Sequence, residues 1–157
     1  MVVSSLLLFL ISFSAATYAD DGLDCLAHAI YLEARSDGED GMRAVGSVIL
    51  RRVGSDRYPN DICVLVWKPS SNPSKPLACS VSAFCDPAVQ LGMFEVKASQ
   101  AAYRVAKGLL YGDLYHYDIT FGATHYTTTA IKDKVWWVDK VEETVIIGSH
   151  TFYKEER

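Results

Sequence analysis

The sequence has no cluster of lysines and arginines. Its 15 basic residues are outnumbered by 19 acidic ones, and the formal net charge is −4. A chain without a basic surface cannot neutralise a run of phosphates, so nucleic acid is not an expected partner. A Gly-x-Ser-x-Gly nucleophile elbow is also absent, so a serine hydrolase of that type lacks its local signature.

Metal-binding spacings are missing as well. The chain contains neither a Cys-x-x-Cys pair nor a His-x-x-x-His pair, which disfavours a zinc site. We expect no metal and no organic cofactor. The cysteines, which are even in number, are instead expected to form two disulfides. Three pairings exist; Cys79 with Cys85 is the local choice, and it leaves Cys25 with Cys63 as the longer link.

No apolar run is long enough to span a bilayer comfortably. The run Leu6 to Phe13 leads into Thr17-Tyr18-Ala19, whose small residues suit a signal peptidase. We therefore expect residues 1–19 to be a signal peptide and residues 20–157 to form one exported domain of 157 − 19 = 138 residues, periplasmic or extracellular. No Lys or Arg precedes the run, so an uncleaved signal anchor is the alternative. Membrane contact is expected only through this segment.

Helical periodicity dominates the first two thirds of the chain. We predict helices over residues 23–35, 41–53 and 94–111, the last one ended by Gly112. The second helix has an apolar face with Arg51 and Arg52 mostly off it; that face is Met42, Val45, Ile49 and Val53. The third has Ser99, Ala102, Tyr103, Ala106 and Leu109 or Leu110 on one side, where the small alanines permit close helix packing.

The rest of the chain is less regular. Residues 61–67 are short and apolar, either a helical turn or a strand, and the proline-rich segment 68–82 is predicted to be a surface loop. Residues 115–129 and 145–153 are rich in aromatic and threonine residues and favour extended structure. No internal repeat is visible. Helices followed by a small strand-and-loop part predict an α+β fold.

Glu33 is the residue that fits its helix least well. Leu23, Leu26, Ile30 and Glu33 share one helix face, so an acid lies on an apolar stripe. Glu33 is also in the last turn, where the helix dipole already places negative charge. A residue that breaks two local rules together indicates a functional site. The alternative is that Glu33 turns to solvent or pairs with Arg35 or Arg43.

Amphipathic aromatic residues accumulate late in the chain. Such rings can stack on sugars while their polar atoms bind hydroxyls. The simpler alternative is that they form a cluster in the core. The aromatic residues concerned are Tyr115, Tyr117, Tyr126, Trp136, Trp137 and Tyr153. His125 and His150 each precede an aromatic residue and could act as a base, as a ligand or as structural hydrogen-bonding groups. His28 lies off the apolar stripe, and we expect no chemical role for it.

Six segments, in this order, resemble motifs of the SleB-type cell wall hydrolases, the family that includes spore cortex-lytic enzymes. They are Cys25–Arg35, Gly41 with Ala44–Val53, Tyr58–Cys63, Cys79–Asp86, Gly122–Tyr126, and Trp137 with Ile147–Tyr153. The first contains Ala-Ile-Tyr-x-Glu-Ala-Arg, in which the family carries its catalytic glutamate, here Glu33. The chain differs from the family pattern at Asp37, where a glutamate is usual, at Arg51, where an asparagine is usual, and at Ser80.

The resemblance implies a small lysozyme-like or transglycosylase-like α+β domain that cleaves peptidoglycan glycan strands. We assign Glu33 as the catalytic acid, kept protonated by its apolar surroundings, and Asp37 as a supporting residue. Substrate-binding residues are expected to be Ser82, His125, Tyr126, Trp137 and His150. We expect a monomer.

The reaction itself leaves alternatives. A single acid suits attack by the 6-hydroxyl of muramic acid, as in lytic transglycosylases. A muramidase-type hydrolase would need a second carboxylate, for which Asp37 and Asp86 are candidates. An exported module that binds glycan without cleaving it is a third possibility.

Overall fold

The computed structural model describes residues 21–67 and 96–155. The predicted signal peptide and the predicted surface loop lie outside the described residues. So do Ser80, Ser82, Asp86 and the proposed Cys79–Cys85 pair. The predictions made for them remain predictions.

Four α-helices precede a three-stranded sheet in the described residues. The helices are α1 (Asp21–Ala34), α2 (Gly38–Val53), α3 (Ile62–Trp67) and α4 (Val96–Tyr111). The strands are β1 (His125–Thr128), β2 (Glu142–Ile147) and β3 (His150–Lys154), with short 3-10 turns at Leu114–His116, Thr129–Lys134 and Val138–Lys140. The predicted α+β class is confirmed. None of the described helices combines the length and apolar character needed to cross a membrane.

The core lies where α1, α2 and α4 meet. Leu26 and Ile30 of α1 are fully buried, as their place on the apolar stripe predicted. The helices approach closely at Gly46, where an added Cβ would lie 2.8 Å from Ile30 Cδ1 and would also overlap Leu109. A larger residue at position 46 would therefore push α1 and α4 away from α2.

Three details of the predicted helices are wrong. Helix α2 begins at Gly38 rather than Gly41, because the acidic residues Glu39 and Asp40 suit its first turn. Tyr103 is 40% exposed; Ala102, Ala106 and Leu109 are buried as predicted, and Val105 completes the buried face of α4. Arg52, placed off the apolar face of α2, is only 8% exposed.

The segment 61–67 is mostly helical, with α3 beginning at Ile62. The Asp61 carboxylate accepts a hydrogen bond from the backbone N–H of Val64 at 2.8 Å, which satisfies one of the unpaired donors at the start of α3. Cys63 in this helix forms a disulfide with Cys25 of α1. The predicted long link is thus confirmed, and it joins α3, the shortest of the four described α-helices, to the core.

Strand β3 is the centre of an antiparallel sheet with the order β1-β3-β2. Its residues His150 to Tyr153 are all buried. The extended structure predicted for residues 115–129 is only partly right, because the strand begins at His125. Asp118 closes a turn before it: the carboxylate accepts hydrogen bonds from Thr120 N and Oγ1 and from Gly122 N, at 2.6–2.9 Å.

Arg51 forms an ion pair with Asp118 at the same turn. Its guanidinium donates to Asp118 at 2.5 Å. Burial acts to raise the pKa of Asp118, but the hydrogen bonds from Thr120 and Gly122 and the charge of Arg51 outweigh it and lower the pKa. Arg51 therefore links α2 to the turn that leads into β1.

Candidate active site

A cleft of about 480 Å³ opens between the helices and the sheet. The ends of α1 and α2 form one wall, while β1, the segment after it and the start of β3 form the other. Its lining residues are Glu33, Arg52, Tyr58, His125, Tyr126, Thr127, Thr128, Ile131, Val135, Trp137 and His150. Five residues predicted from the sequence thus come together: Glu33, His125, Tyr126, Trp137 and His150.

Glu33 is half-buried and lies beside Tyr126 in one corner of the cleft. The pKa of the Tyr126 hydroxyl is raised well above its ordinary value, first by burial and then by the negative charge of Glu33 and a hydrogen bond with it; Arg52 acts in the opposite direction. The hydroxyl has no partner at full hydrogen-bond geometry among the described residues, so the contact with Glu33 is a loose one. Tyr126 is therefore a neutral donor beside a carboxyl group.

Arg52 brings a positive charge into the same corner. Its Nε donates to the backbone carbonyl of Thr124 at 2.7 Å, which fixes the guanidinium against β1. Its guanidinium carbon lies 5.5 Å from the Tyr58 ring centroid and 5.8 Å from that of Tyr126. These cation–π contacts place Arg52 between two aromatic rings.

His125 and Trp137 form a second pair of rings in the cleft lining. The two rings are 5.2 Å apart, and Trp137 also contacts the Tyr153 ring edge-on at 5.4 Å. Burial, with the charges of Arg52 and Arg57, lowers the pKa of His125 to about 4. The imidazole is therefore neutral near pH 7, as a residue that positions substrate through hydrogen bonds can be.

Asp37 lies behind the cleft and contacts His150. Its Oδ2 accepts hydrogen bonds from Nδ1 of His150 and from Oγ of Ser149, both at 2.9 Å. The side chains of Asp37 and His150 are each only 6% exposed. His150 in turn meets the Tyr126 ring edge-on, with centroids 5.3 Å apart. Asp37 thus touches a cleft residue without lining the cleft itself.

Among the described residues that line the cleft, Glu33 is the sole carboxylate. Both cleft histidines are accounted for by local contacts, with Thr124 Oγ1 at 2.9 Å from Nδ1 of His125 and Asp37 at Nδ1 of His150. In residues 21–67 and 96–155, no group of three or more His, Cys, Asp or Glu side chains is placed to hold a metal ion. The cleft can donate and accept protons at Glu33 and can stack sugar rings on its aromatic walls.

Sequence reasoning missed six cleft residues: Arg52, Tyr58, Thr127, Thr128, Ile131 and Val135. Arg52 did carry a signal, because it follows Val45 and Ile49 at helical spacing and so puts a charge on an apolar face, as Glu33 does. Thr127 and Thr128 carried no such signal, because neither the threonine side chain nor its spacing distinguishes a strand that lines a cleft from any other strand. His28, given no chemical role, lies apart and contacts the ring of Trp67 edge-on at 5.5 Å.

Two solved structures are similar to this chain. The catalytic domain of the Bacillus cereus SleB protein has 26% sequence identity and a TM-score of 0.61, over 88% of this chain and 94% of that one. The catalytic domain of the germination-specific lytic transglycosylase SleB from Bacillus anthracis has 25% identity and a TM-score of 0.62, over 88% of this chain and 98% of that one.

Curated relatives are similar in sequence. The spore cortex-lytic enzyme of Halalkalibacterium halodurans is 29% identical over 139 residues, which are 87% of this chain and 36% of the relative. That of Bacillus subtilis is 33% identical over 52 residues, which are 33% of this chain and 17% of the relative. This chain therefore spans about a third or less of the length of these relatives.

The sequence profile of one family covers most of the chain. It is described as Cell Wall Hydrolase and matches residues 36–153. Asp37, Arg52, His125, Tyr126, Trp137 and His150 fall inside the matched range, and Glu33 lies three residues before it. The resemblance to SleB-type enzymes seen in the sequence is confirmed, and this chain belongs to the Cell Wall Hydrolase family.

Proposed function

We propose that this protein cleaves the glycan strands of peptidoglycan as a lytic transglycosylase, with Glu33 as its catalytic acid. The observation that carries the proposal is that Glu33 is the sole carboxylate among the described residues lining the cleft. The similarity to an enzyme described as a lytic transglycosylase supports the same reaction. The substrate implies action at the cell wall, after export.

Glu33 begins the reaction by donating a proton to the oxygen of the β-1,4 glycosidic bond. The bond from that oxygen to C1 of muramic acid breaks, and positive charge develops on the sugar ring. Tyr126, a neutral donor in contact with Glu33, then stabilises the carboxylate that remains. Arg52 in the same corner adds a positive charge near it.

The second half of the reaction returns the proton. The 6-hydroxyl of muramic acid attacks C1 of the same residue, and Glu33 takes the hydroxyl proton. One C–O bond has broken and one has formed, so the products are a 1,6-anhydro-muramic acid end and a free hydroxyl on the other sugar. A hydroxyl of the same molecule has a high effective concentration, so the cleft needs no second carboxylate to activate water.

The remaining cleft residues would position the strand. Trp137 and Tyr58 offer ring faces for sugars, and Thr127 and Thr128 offer hydroxyls. Ser82, in the segment outside the described residues, is proposed to contact substrate on the strength of the family resemblance. Each of these side chains contacts neutral sugar groups, so they act through orientation and not through proton transfer.

Replacement of Glu33 by Gln tests the proposal. Glutamine preserves shape but cannot transfer a proton, so lysis of purified sacculi should fall by about 10²- to 10⁴-fold. Glu39→Gln is the matched control: Glu39 is exposed at the start of α2, where it pairs with Arg104, and its variant should lyse sacculi normally. A folded Glu33→Gln protein that still lyses sacculi at the normal rate would refute the assignment. So would an unaltered protein that binds sacculi but does not lyse them, because that is the behaviour of a non-catalytic glycan-binding module.

A further inference from the structure

The pair formed by Asp37 and His150 does more than join two parts of the chain. Asp37 belongs to the turn between α1 and α2, and His150 is the first residue of β3. The carboxylate lies in a tight cradle: Gly148 has φ of +60°, and a Cβ there would come within 2.6 Å of Asp37 Cγ. The side chain of Asp37 is therefore fixed in position relative to His150.

The hydrogen bond between them sets the tautomer of His150. A carboxylate offers only acceptors, so the hydrogen in the 2.9 Å contact must lie on Nδ1 of His150. In the neutral imidazole, Nε2 then has no hydrogen and is an acceptor. Ser149 donates to the same carboxylate oxygen at 2.9 Å, so the hydroxyl supports this arrangement and does not compete with it.

The acceptor is turned toward the cleft. His150 lines the cleft, and its Nδ1 is directed away from it, to Asp37. Among the described residues, the hydrogen bonds of this ring are all made by Nδ1, and Nε2 is not one of the buried nitrogens that lack a partner. The rings around it, Tyr126 and Phe152, contact it as aromatic neighbours.

We propose that Nε2 of His150 accepts a hydrogen bond from a sugar hydroxyl of the bound glycan strand, and that Asp37 is the positioning residue that keeps this nitrogen an acceptor. This inference rests on the proposed function, because it takes the glycan strand as the ligand. Hydroxyl groups are the abundant donors on such a strand, and an acceptor with a fixed tautomer selects for them over carbonyl oxygens.

Two replacements of His150 separate this role from a structural one. Asparagine places an amide near the position of Nδ1, so His150→Asn keeps the link to Asp37 and loses the acceptor. Glutamine places an amide near the position of Nε2, so His150→Gln keeps an acceptor and loses the link. We expect kcat/KM on soluble glycan strands to fall about 5- to 10-fold further in His150→Asn than in His150→Gln. His150→Gln should be the less stable of the two.

A purely structural role predicts the opposite order, because the variant that keeps the Asp37 link would then be both the more stable and the more active. That order, or equal kcat/KM in the two variants, would overturn the inference. Binding of the same strands to the two variants in a Glu33→Gln background, where cleavage is too slow to interfere, should show the same order as kcat/KM.

Asp37→Asn tests the tautomer directly. The amide can donate to Nδ1 and so move the imidazole hydrogen to Nε2, which ¹⁵N NMR of His150 would detect. We expect that shift together with a fall of about 5- to 10-fold in strand binding. Ser149→Ala, which removes the other donor to Asp37, should leave the tautomer unchanged. A changed tautomer with unchanged binding would contradict the proposal.

The two proposals fail in different ways. If Glu33→Gln lyses sacculi normally, the proposed function fails, whatever the His150 variants do. If Glu33→Gln is inactive but the His150 variants bind strands equally, only the role of Nε2 fails.

Discussion

The hydroxyl of Tyr126 and the carboxyl group of Glu33 share one corner of the cleft, and the charge and hydrogen bonding of Glu33 help to raise the Tyr126 pKa. The two residues are 93 positions apart, in α1 and in β1. The pair places a neutral hydrogen-bond donor beside the group proposed to give up a proton. A donor in that place stabilises the carboxylate more than the acid, and so favours proton transfer to the substrate.

Tyr126→Phe removes this donor and keeps the ring. We expect kcat to fall about 10-fold, the lower end for a hydrogen bond to a charged group because the contact is loose. The free energy of unfolding should change by less than about 1 kcal/mol. Rates of sacculus clearing measure the effect, with Tyr111→Phe as control because Tyr111 is 60% exposed at the end of α4. A Tyr126→Phe enzyme with an unchanged kcat would show that the hydroxyl plays no part.

His125 should make stability depend on pH. Its folded pKa of about 4 lies below the ordinary 6.5 because of burial and the charges of Arg52 and Arg57. The unfolded chain therefore binds a proton first as pH falls, so the stabilisation is complete above about pH 6.5 and is lost progressively toward about pH 4. The side chain is 20% exposed, and the shift corresponds to a loss on the order of 3 kcal/mol.

Denaturant unfolding of the protein and of His125→Asn at several pH values measures this. Asparagine keeps a partner for the Thr124 hydroxyl but does not titrate, so the variant should lose less stability between about pH 6.5 and about pH 4. Carboxylates such as Asp118, whose pKa is lowered, contribute equally to both proteins and cancel in the comparison. Parallel stability curves for the two proteins would contradict the prediction.

The Cys25–Cys63 disulfide should matter for stability more than for chemistry. It closes a loop with a sequence separation of 38, for which chain entropy gives about 4 kcal/mol. Replacing both cysteines by serine should lower the free energy of unfolding by roughly that amount and leave kcat on sacculi nearly unchanged, because neither residue lines the cleft. A double variant that unfolds at the same denaturant concentration as the parent would show that the link adds no stability.

The sequence was most informative where a local rule was broken. Glu33 was recognisable because an acid on an apolar stripe, in the last turn of a helix, is unfavourable unless it has a function. The same argument applies to Arg52, but the arginines near it were read together as a polar face. Only the structure separates them: Arg51 turns to Asp118, while Arg52 turns into the cleft.

Long-range contacts could not be predicted in this way. Nothing in the local sequence around Asp37 indicates that it meets His150, 113 residues later, because that contact depends on how the sheet packs against the helices. The start of β1 was missed for a related reason. The aromatic and threonine residues of the segment 115–129 favour extended structure. The turn closed by Asp118 and Arg51 occupies part of that segment, so the strand begins only at His125.

The mass of the products formed from purified sacculi tests the central claim, cleavage by a single carboxylate, most directly. The proposed reaction predicts strands that end in 1,6-anhydro-muramic acid, lighter by one water than hydrolytic products and resistant to borohydride. It also predicts that Glu33→Gln forms them about 10²- to 10⁴-fold more slowly, while Asp37→Asn still forms them with only a modest loss of rate. Reducing ends that accept borohydride, together with an Asp37→Asn enzyme as inactive as Glu33→Gln, would contradict it and would indicate a hydrolase with two carboxylates.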